Sequence, residues 1–541
     1  MALTIASFLL ITALVGFLSW RATRRDDHKS ATGYFLAGRS LTWIVVAGSL
    51  LLTNLSTEQL VGLNGGGYQH GMMVMAWEIW AALAMVLMAL VFLPRYLRGG
   101  VTTVPQFFEN RYGRTVRLVT SILFLLALLT NLLPFVLYSG AVAMNGLFGV
   151  EDMLQGVEQF GWSPRQTAIW VLVISLGVVG SLYAILGGLK AVAVSDTFNG
   201  AALLVGGLMI PVLGLWKLGE GSISAGIRDL MENAPAKLDP VGGPGDNIPF
   251  STLFTGMLLV HCYYWCTNQT IVQRTFGARS LEQGQKGVLF AALMKLGGPL
   301  YLVLPGLIAW RLFGESLAER PDDAYPMLVK AVLPGPLTGL FSAAIFGAIL
   351  SSFNSGLNSA ATLFSMDLYR GVFRPGATDA QTVRAGKVFG LCIAVGAVLA
   401  APFIALAGGG LFELMKNLSA LYDIPLLALL VLGIVLPRAP SAAALAAVGF
   451  GLVFYLVFGF VLDNHIFGIE FHWLHVAGIN FALICLVVVV ITWLHPRKEP
   501  YVQKDAGAVD LRSWRWAVPV SIVVAALATA IYVALWWVGR G

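Results

Sequence analysis

About fourteen apolar stretches recur from residue 3 to residue 538, each long enough to cross a ~30 Å hydrocarbon core as a helix of roughly 20 residues. They fall at 3–20, 40–65, 71–94, 118–146, 166–187, 191–216, 251–273, 287–312, 336–366, 388–407, 410–436, 440–462, 473–494 and 516–538. The pattern predicts an all-α integral membrane protein. Only 11% of the residues are charged, and no polar block approaches the ~100 residues of an ordinary soluble domain, which argues against a membrane-anchored enzyme. No basic residue precedes 3–20 and no small-residue cleavage motif follows it, so it reads as a first span and not a signal peptide. Cys262, Cys266, Cys392 and Cys485 lie in apolar runs and read as buried thiols.

Charge gives the orientation. With the N-terminus outside, inward loops hold 24 of the 34 Lys and Arg, among them Arg21, Arg95, Arg111 and Arg497, and nine fall on the outer side. This obeys the positive-inside rule and predicts a multi-pass inner-membrane protein with both termini extracytoplasmic. The net charge of +6 then reflects topology, with no nucleic-acid partner implied, and each basic cluster reads as a solvated loop that orients the chain.

Two spans carry polar residues that hydrocarbon does not tolerate. One runs Thr53-Asn54-Leu55-Ser56-Thr57-Glu58-Gln59 and continues to Gly62 and Gly65-Gly66-Gly67; the other, five spans later, runs His261 to Gln269 through Tyr263, Tyr264 and Trp265. Paired interrupted helices at corresponding places in two halves point to a transporter with inverted repeats, whose broken backbone holds ions and solute near the midplane. The plain alternative is a pair of buried helices that hydrogen-bond their neighbours.

Within the spans lie Glu58, Glu78, Asp196, Lys295, Glu413 and Asp423, with Lys295 read as the only basic residue near the middle of one. A lone buried ammonium costs on the order of several kcal/mol unless paired, so Lys295 should meet a carboxylate or a polyol. Ser351-Ser352 offers two adjacent hydroxyls. Alone, such serines bond the preceding turn; beside an unwound helix, hydroxyls and freed carbonyls make the hard-oxygen shell of an alkali cation. The glycines form no phosphate loop, since no Gly-Lys-Ser/Thr follows. His261, Cys262 and Cys266 lack a fourth ligand for a metal, and no Ser-His-Asp constellation is present.

Four motifs carry a family resemblance: Tyr34 to Ser40, Thr53 to Gly62, Asn268 to Arg274, and Ala361 to Tyr369 following Ser351-Ser352. Over about 30–440 they resemble the solute:sodium symporter family, specifically its sugar-transporting, sodium/glucose-cotransporter-like branch. The resemblance implies a leucine-transporter-like fold of two inverted five-helix repeats, at 40–218 and 251–437. An extra helix and basic loop would occupy 1–39, an extracytoplasmic loop 219–250, a long loop 313–335, and three further helices 438–541.

Carried over residue by residue, the resemblance implies a sugar site of Gln59, Glu78, His261, Lys295 and Asn417, with Tyr264 stacking beneath the ring as inner gate and Leu63 and Trp77 as outer lid. The sodium site would take carbonyls of Leu52, Leu55 and Ala348 and hydroxyls of Ser351 and Ser352, with Asn54 bracing the break and Asp196 on the ion route. Members that move two sodium ions carry a serine where this chain has Ala348, so the resemblance implies one sodium per solute and no organic cofactor. His261 stands where the branch has Asn, Asn417 where it has Gln, Ala81 where it has Ser, and Glu413 replaces an apolar lid residue. These departures keep the pocket polar and leave open a sugar acid, carboxylate or amino acid as solute, or a membrane solute sensor or channel. Asp423 has no counterpart in the pattern.

Overall fold

The computed structural model describes residues 2–23, 36–155, 162–406 and 411–540, with the side chains of 2, 15, 18–20, 22–23, 183–198, 202 and 405–406 outside the description. Eleven helical stretches in it are long and apolar enough to cross a membrane. Three of the stretches expected from sequence are not among these eleven. The stretch 3–20 lies within one helix, Ala2–Thr23, whose side chains are described only in part. The stretch 40–65 is broken into α1 (Trp43–Asn54) and α2 (Thr57–His70). A tight turn at Gly71 (φ 76°, ψ −152°) and a short 3-10 segment then lead from α2 into α3 (Ala76–Leu87). Only glycine adopts that backbone readily. The stretch 251–273 is broken into α4 (Gly256–Cys266) and α5 (Gln269–Phe276), which precede α6 (Leu281–Leu296). Both predicted interruptions are therefore real discontinuities of the backbone.

Pro164–Leu218 is assigned as one helical stretch of 55 residues, which if straight would measure ~80 Å. It is not straight. Arg165 pairs with Asp323 (3.0 Å) and Lys217 bonds the carbonyl of Ala331 (2.8 Å), so both ends lie beside the same short segment. Its apolar portions Pro164–Leu182 and Asn199–Leu218 run down and back. They pack on α7 (Gly335–Thr362), Gly180 against Phe353 and Gly206 against Phe341. Another helix packed on the broken pair is α8 (Leu411–Val435), with Pro425 inside it. Among the described residues the only paired strands form a hairpin, His465–Ile466 with Ile469–Glu470.

Several arginines expected to be solvated are structural. Arg111 is 1% exposed and donates to the carbonyls of Gly433 (2.8 Å), Leu436 (2.5 Å) and Ala439 (3.1 Å). A helix end leaves four carbonyls without partners and a partial negative charge, and a guanidinium with five donors satisfies both. Arg117 holds the buried carboxylate of Asp367 (2.6 Å) and also bonds Glu109; Arg274 is buried on the Thr270 carbonyl and the Ser355 hydroxyl. Positive-inside counting says on which side such residues stand, and not whether they are wet.

Candidate functional site

The first break is built by side chains that compete with the helix for backbone bonds. Leu55 (φ −76°, ψ 59°) and Ser56 (φ −89°, ψ 173°) are non-helical, and the Ser56 hydroxyl turns back onto the Asn54 carbonyl (3.3 Å). Leu55 N–H still reaches Leu51 O (2.6 Å), and the ladder resumes with Leu60 N–H to Ser56 O (3.0 Å). The carbonyls of Leu52 to Leu55 are thus released from helical pairing. At the second break, Thr267 and Asn268 N–H both fall on Tyr263 O (2.8 and 2.9 Å), and the Asn268 side chain caps α5 through Thr270 N–H (2.9 Å). The Tyr96 hydroxyl takes up the freed Cys266 carbonyl (2.7 Å). The glycines of α2 make no break. A Cβ on Gly62 would lie 2.6 Å from that of Phe412, so glycine lets α8 lie flush on α2.

Around the breaks gather buried polar atoms with no partner in the protein: Thr53 Oγ1, Asn54 Oδ1, Thr57 Oγ1, Glu58 Oε2, Gln59 Oε1 and His261 Nε2. Each such group left unpaired costs about 1–3 kcal/mol, so their concentration here marks a place that takes partners from outside the chain. Gln59 and His261 are 7% and 6% exposed. Glu78 and Lys295 satisfy each other instead, with Lys295 Nζ 2.6 Å from both carboxylate oxygens and both side chains buried. Gly298 makes room for that pair, since a Cβ there would lie 2.3 Å from Glu78 Oε2.

The expected sodium ligands Leu52, Leu55, Ala348, Ser351 and Ser352 are all buried, and the Ser352 hydroxyl stands 3.5 Å from the Thr53 carbonyl. So α7 lays its serine pair against the first break. Among the described residues no group of three His, Cys, Asp or Glu side chains could hold a metal ion; the oxygens here are neutral hydroxyls and carbonyls, the donor set of a hard monovalent cation. The side chain of Asp196 lies outside the described residues.

On α8 the structure places the polar residues as follows. Asn417 accepts a hydrogen bond from the Tyr455 hydroxyl (2.9 Å) on helix Ser441–Tyr455, turned towards its neighbour helix. Its predecessor Lys416 faces the site, its ammonium over the rings of Tyr264 (4.8 Å), Phe412 (5.1 Å) and Trp77 (5.9 Å). One residue is a 100° turn on a helix, enough to exchange the two faces. Lys295 is therefore not the only lysine buried in the bundle. Glu413, in the first turn of α8, is exposed, accepts from Asn247 (2.8 Å) and borders a cavity together with Phe412 and Trp77.

Trp77 closes one side, edge-on to His261 (5.5 Å) and Phe412 (5.2 Å) and stacked on Trp473 (6.2 Å), with Leu63 buried nearby. Beyond it opens a cavity lined by Gly65, His70, Asn247, Asp322 and His472. A second cavity is lined by Tyr264, Asn268, Ser419 and Asp423 together with Lys416 itself. Burial holds the Asp322 carboxyl up at about 6, partly offset by a bond from the Leu411 backbone beside Phe412. The fold thus favours its protonated form, so stability should fall as pH rises from about 4 to about 6. Asp322→Asn should flatten that part of a melting-temperature profile; an unchanged slope would show that another group titrates. A second expectation concerns the lid. Gly62→Leu should abolish solute flux by wedging α2 from Phe412 while leaving sodium-dependent thermal stabilisation intact, and normal flux would mean that this contact does not close.

Comparison with known proteins places the arrangement. The family model described as "Sodium:solute symporter family" matches residues 34–451. The chain is 47% identical over 514 residues to "Uncharacterized symporter YidK" of Escherichia coli (strain K12), covering 95% of this chain and 88% of that protein. It is 29% identical over 475 residues to the "Sodium/glucose cotransporter" of Vibrio parahaemolyticus, covering 84% of each. The fold matches the substrate-bound, outward-open structure of a sodium-coupled sialic acid symporter with a TM-score of 0.75 at 20% identity, over 93% of this chain and 99% of that one.

Proposed function

The chain belongs to the sodium:solute symporter family, and from that premise we propose that it couples sodium entry to the uptake of a sugar-like polyol by alternating access. It is a membrane transporter and not an enzyme, as its family is. The observation that carries the polyol reading is the cluster of buried, unpaired donors and acceptors at the two breaks, flanked by aromatic faces. A polyol presents many hydroxyls and a C–H face, and needs convergent polar groups with an aromatic wall. The name of the Vibrio relative favours the same solute class.

In this reading Gln59, His261 and the Glu78–Lys295 pair face the solute. Trp77, Leu63 and Phe412 form the outer lid and Tyr264 the inner gate. Sodium sits between the carbonyls of Leu52, Leu55 and Ala348 and the hydroxyls of Ser351 and Ser352, with Asn54 and Asp196 in support. Sodium stabilises the outward-open arrangement, solute closes the lid, and loss of sodium to the cytoplasm releases the solute. With a neutral solute each sodium moved through 100 mV contributes ~2.3 kcal/mol, so one ion drives useful accumulation; with an anionic solute at one-to-one coupling the chemical sodium gradient is the drive. Fourteen spans, with the two five-helix repeats each opened by a broken helix, fit this mechanism. The charge asymmetry supports an inner-membrane protein with both termini outside.

The test is sodium-dependent accumulation of labelled hexoses, inositols and hexuronates in proteoliposomes. Gln59→Ala should reduce uptake at least ten-fold with unchanged melting temperature, because its Oε1 has no partner in the protein to lose. Uptake that ignores the sodium gradient would refute the coupling.

A further inference from the structure

We propose that the solute carries a negative charge, a carboxylate on a polyol frame, and that Lys416 is the group that receives it. This rests on the symporter reading above and narrows its solute class. Lys416 is 7% exposed, stands over the rings of Tyr264 and Trp77, and lines the second cavity. Among the described residues no carboxylate comes within ion-pair distance of its ammonium, whereas Lys295 in the same region is held at 2.6 Å by both oxygens of Glu78. The structure has therefore paired one buried lysine fully and left the other facing aromatic rings.

Magnitudes decide what Lys416 waits for. Burying an ammonium costs on the order of several kcal/mol, and aromatic faces return about 2 kcal/mol when desolvated. A neutral hydroxyl accepts a hydrogen bond from an ammonium but brings no opposite charge. A carboxylate brings both, in a charge-assisted bond roughly twice as strong as a neutral one. Two other carboxylates, Glu58 and Asp423, act on Lys416 from a distance. Glu58 lies in the first turn of α2, with its Oε2 buried and unpaired and no ion pair to the ammonium. Asp423 is seven residues further along α8, ~10 Å along the axis, and lines the same cavity as Lys416 without coming within ion-pair distance of it. They moderate the field without occupying the ammonium's hydrogen-bonding positions. The ammonium lies nearest the Tyr264 ring, and His261 Nε2, on the same helix as Tyr264, also lacks a partner.

The experiment compares matched pairs, glucuronate with glucose and galacturonate with galactose, as competitors for binding and as labelled solutes taken up by proteoliposomes under an inward sodium gradient. In the unmodified protein each acid should bind about ten-fold or more tighter than its parent hexose. Lys416→Gln should level or invert that preference. Its melting temperature should not fall, since the change removes an unpaired buried charge, whereas a purely structural lysine would lower it. Lys416→Arg should keep the preference. Equal or better binding of the hexoses, a preference for acids that survives in Lys416→Gln, or no binding of either class in sodium would each overturn the proposal. Sodium-driven uptake of hexose without the acid would overturn it while leaving the symporter reading intact; uptake indifferent to sodium would strike the underlying reading itself.

Discussion

Glu78→Ala will lower the stability of the protein by about 3–5 kcal/mol and abolish uptake, because it leaves the Lys295 ammonium buried without its partner. A residue that touched only solute would leave stability unchanged on removal. Here both oxygens of the carboxylate are engaged at 2.6 Å, and Gly298 packs against it where no side chain would fit. The double change Glu78→Gln with Lys295→Gln should restore most of the lost stability, since it removes both charges at once, yet it should not restore transport. Thermal unfolding in detergent, followed by uptake in proteoliposomes, separates the two effects. A single variant that melts with the unmodified protein would show that the pair is opened in the resting state.

Removing the hydroxyl in Ser352→Ala should raise the sodium concentration for half-maximal uptake about ten-fold or more, the cost of one ligand to a dehydrated cation. The companion measurement is stoichiometry. At zero membrane potential, net flux should vanish when the solute ratio across the membrane equals the sodium ratio to the first power. In the proposed site Ala348 offers no hydroxyl to a further ion, and it is wholly buried. A null point at the square of the sodium ratio would refute a coupling of one. An exponent that rises in Ala348→Ser would support the reading strongly.

The interruptions at 55–56 and 267–268 were legible because Ser, Thr and Asn crowd positions that hydrocarbon would fill with Leu, and such side chains bid for the backbone. The need of Lys295 for a carboxylate was legible from its charge alone, although the identity of that carboxylate as Glu78 was only one of several possibilities. The rotation of α8 was not legible. Whether residue 416 or 417 faces the site depends on how α8 packs against Tyr455 and Phe412, and both faces carry a polar residue, so periodicity does not choose between them. Glycines 62 to 67 misled in the same way, because a residue that permits a kink equally permits a close helix contact, and here the contact won. Arg111 shows the limit of charge counting, since its guanidinium is a cap on a helix end.

That cap makes α8 a lever with one end nailed down. Arg111 grips the carbonyls of residues 433, 436 and 439, while the lid residue Phe412 and Lys416 ride at the opposite end. Between them Pro425 lacks the N–H that would bond back to Leu421, which leaves a flexible point a turn or two beyond the lid half. Opening of the lid should therefore swing residues 411–424 about Pro425 while the anchored half stays with helix Val104–Tyr112. Spin labels at exposed Glu413 should move on sodium addition when labels flanking Arg438 do not; equal displacement of both would mean that α8 travels as one rod.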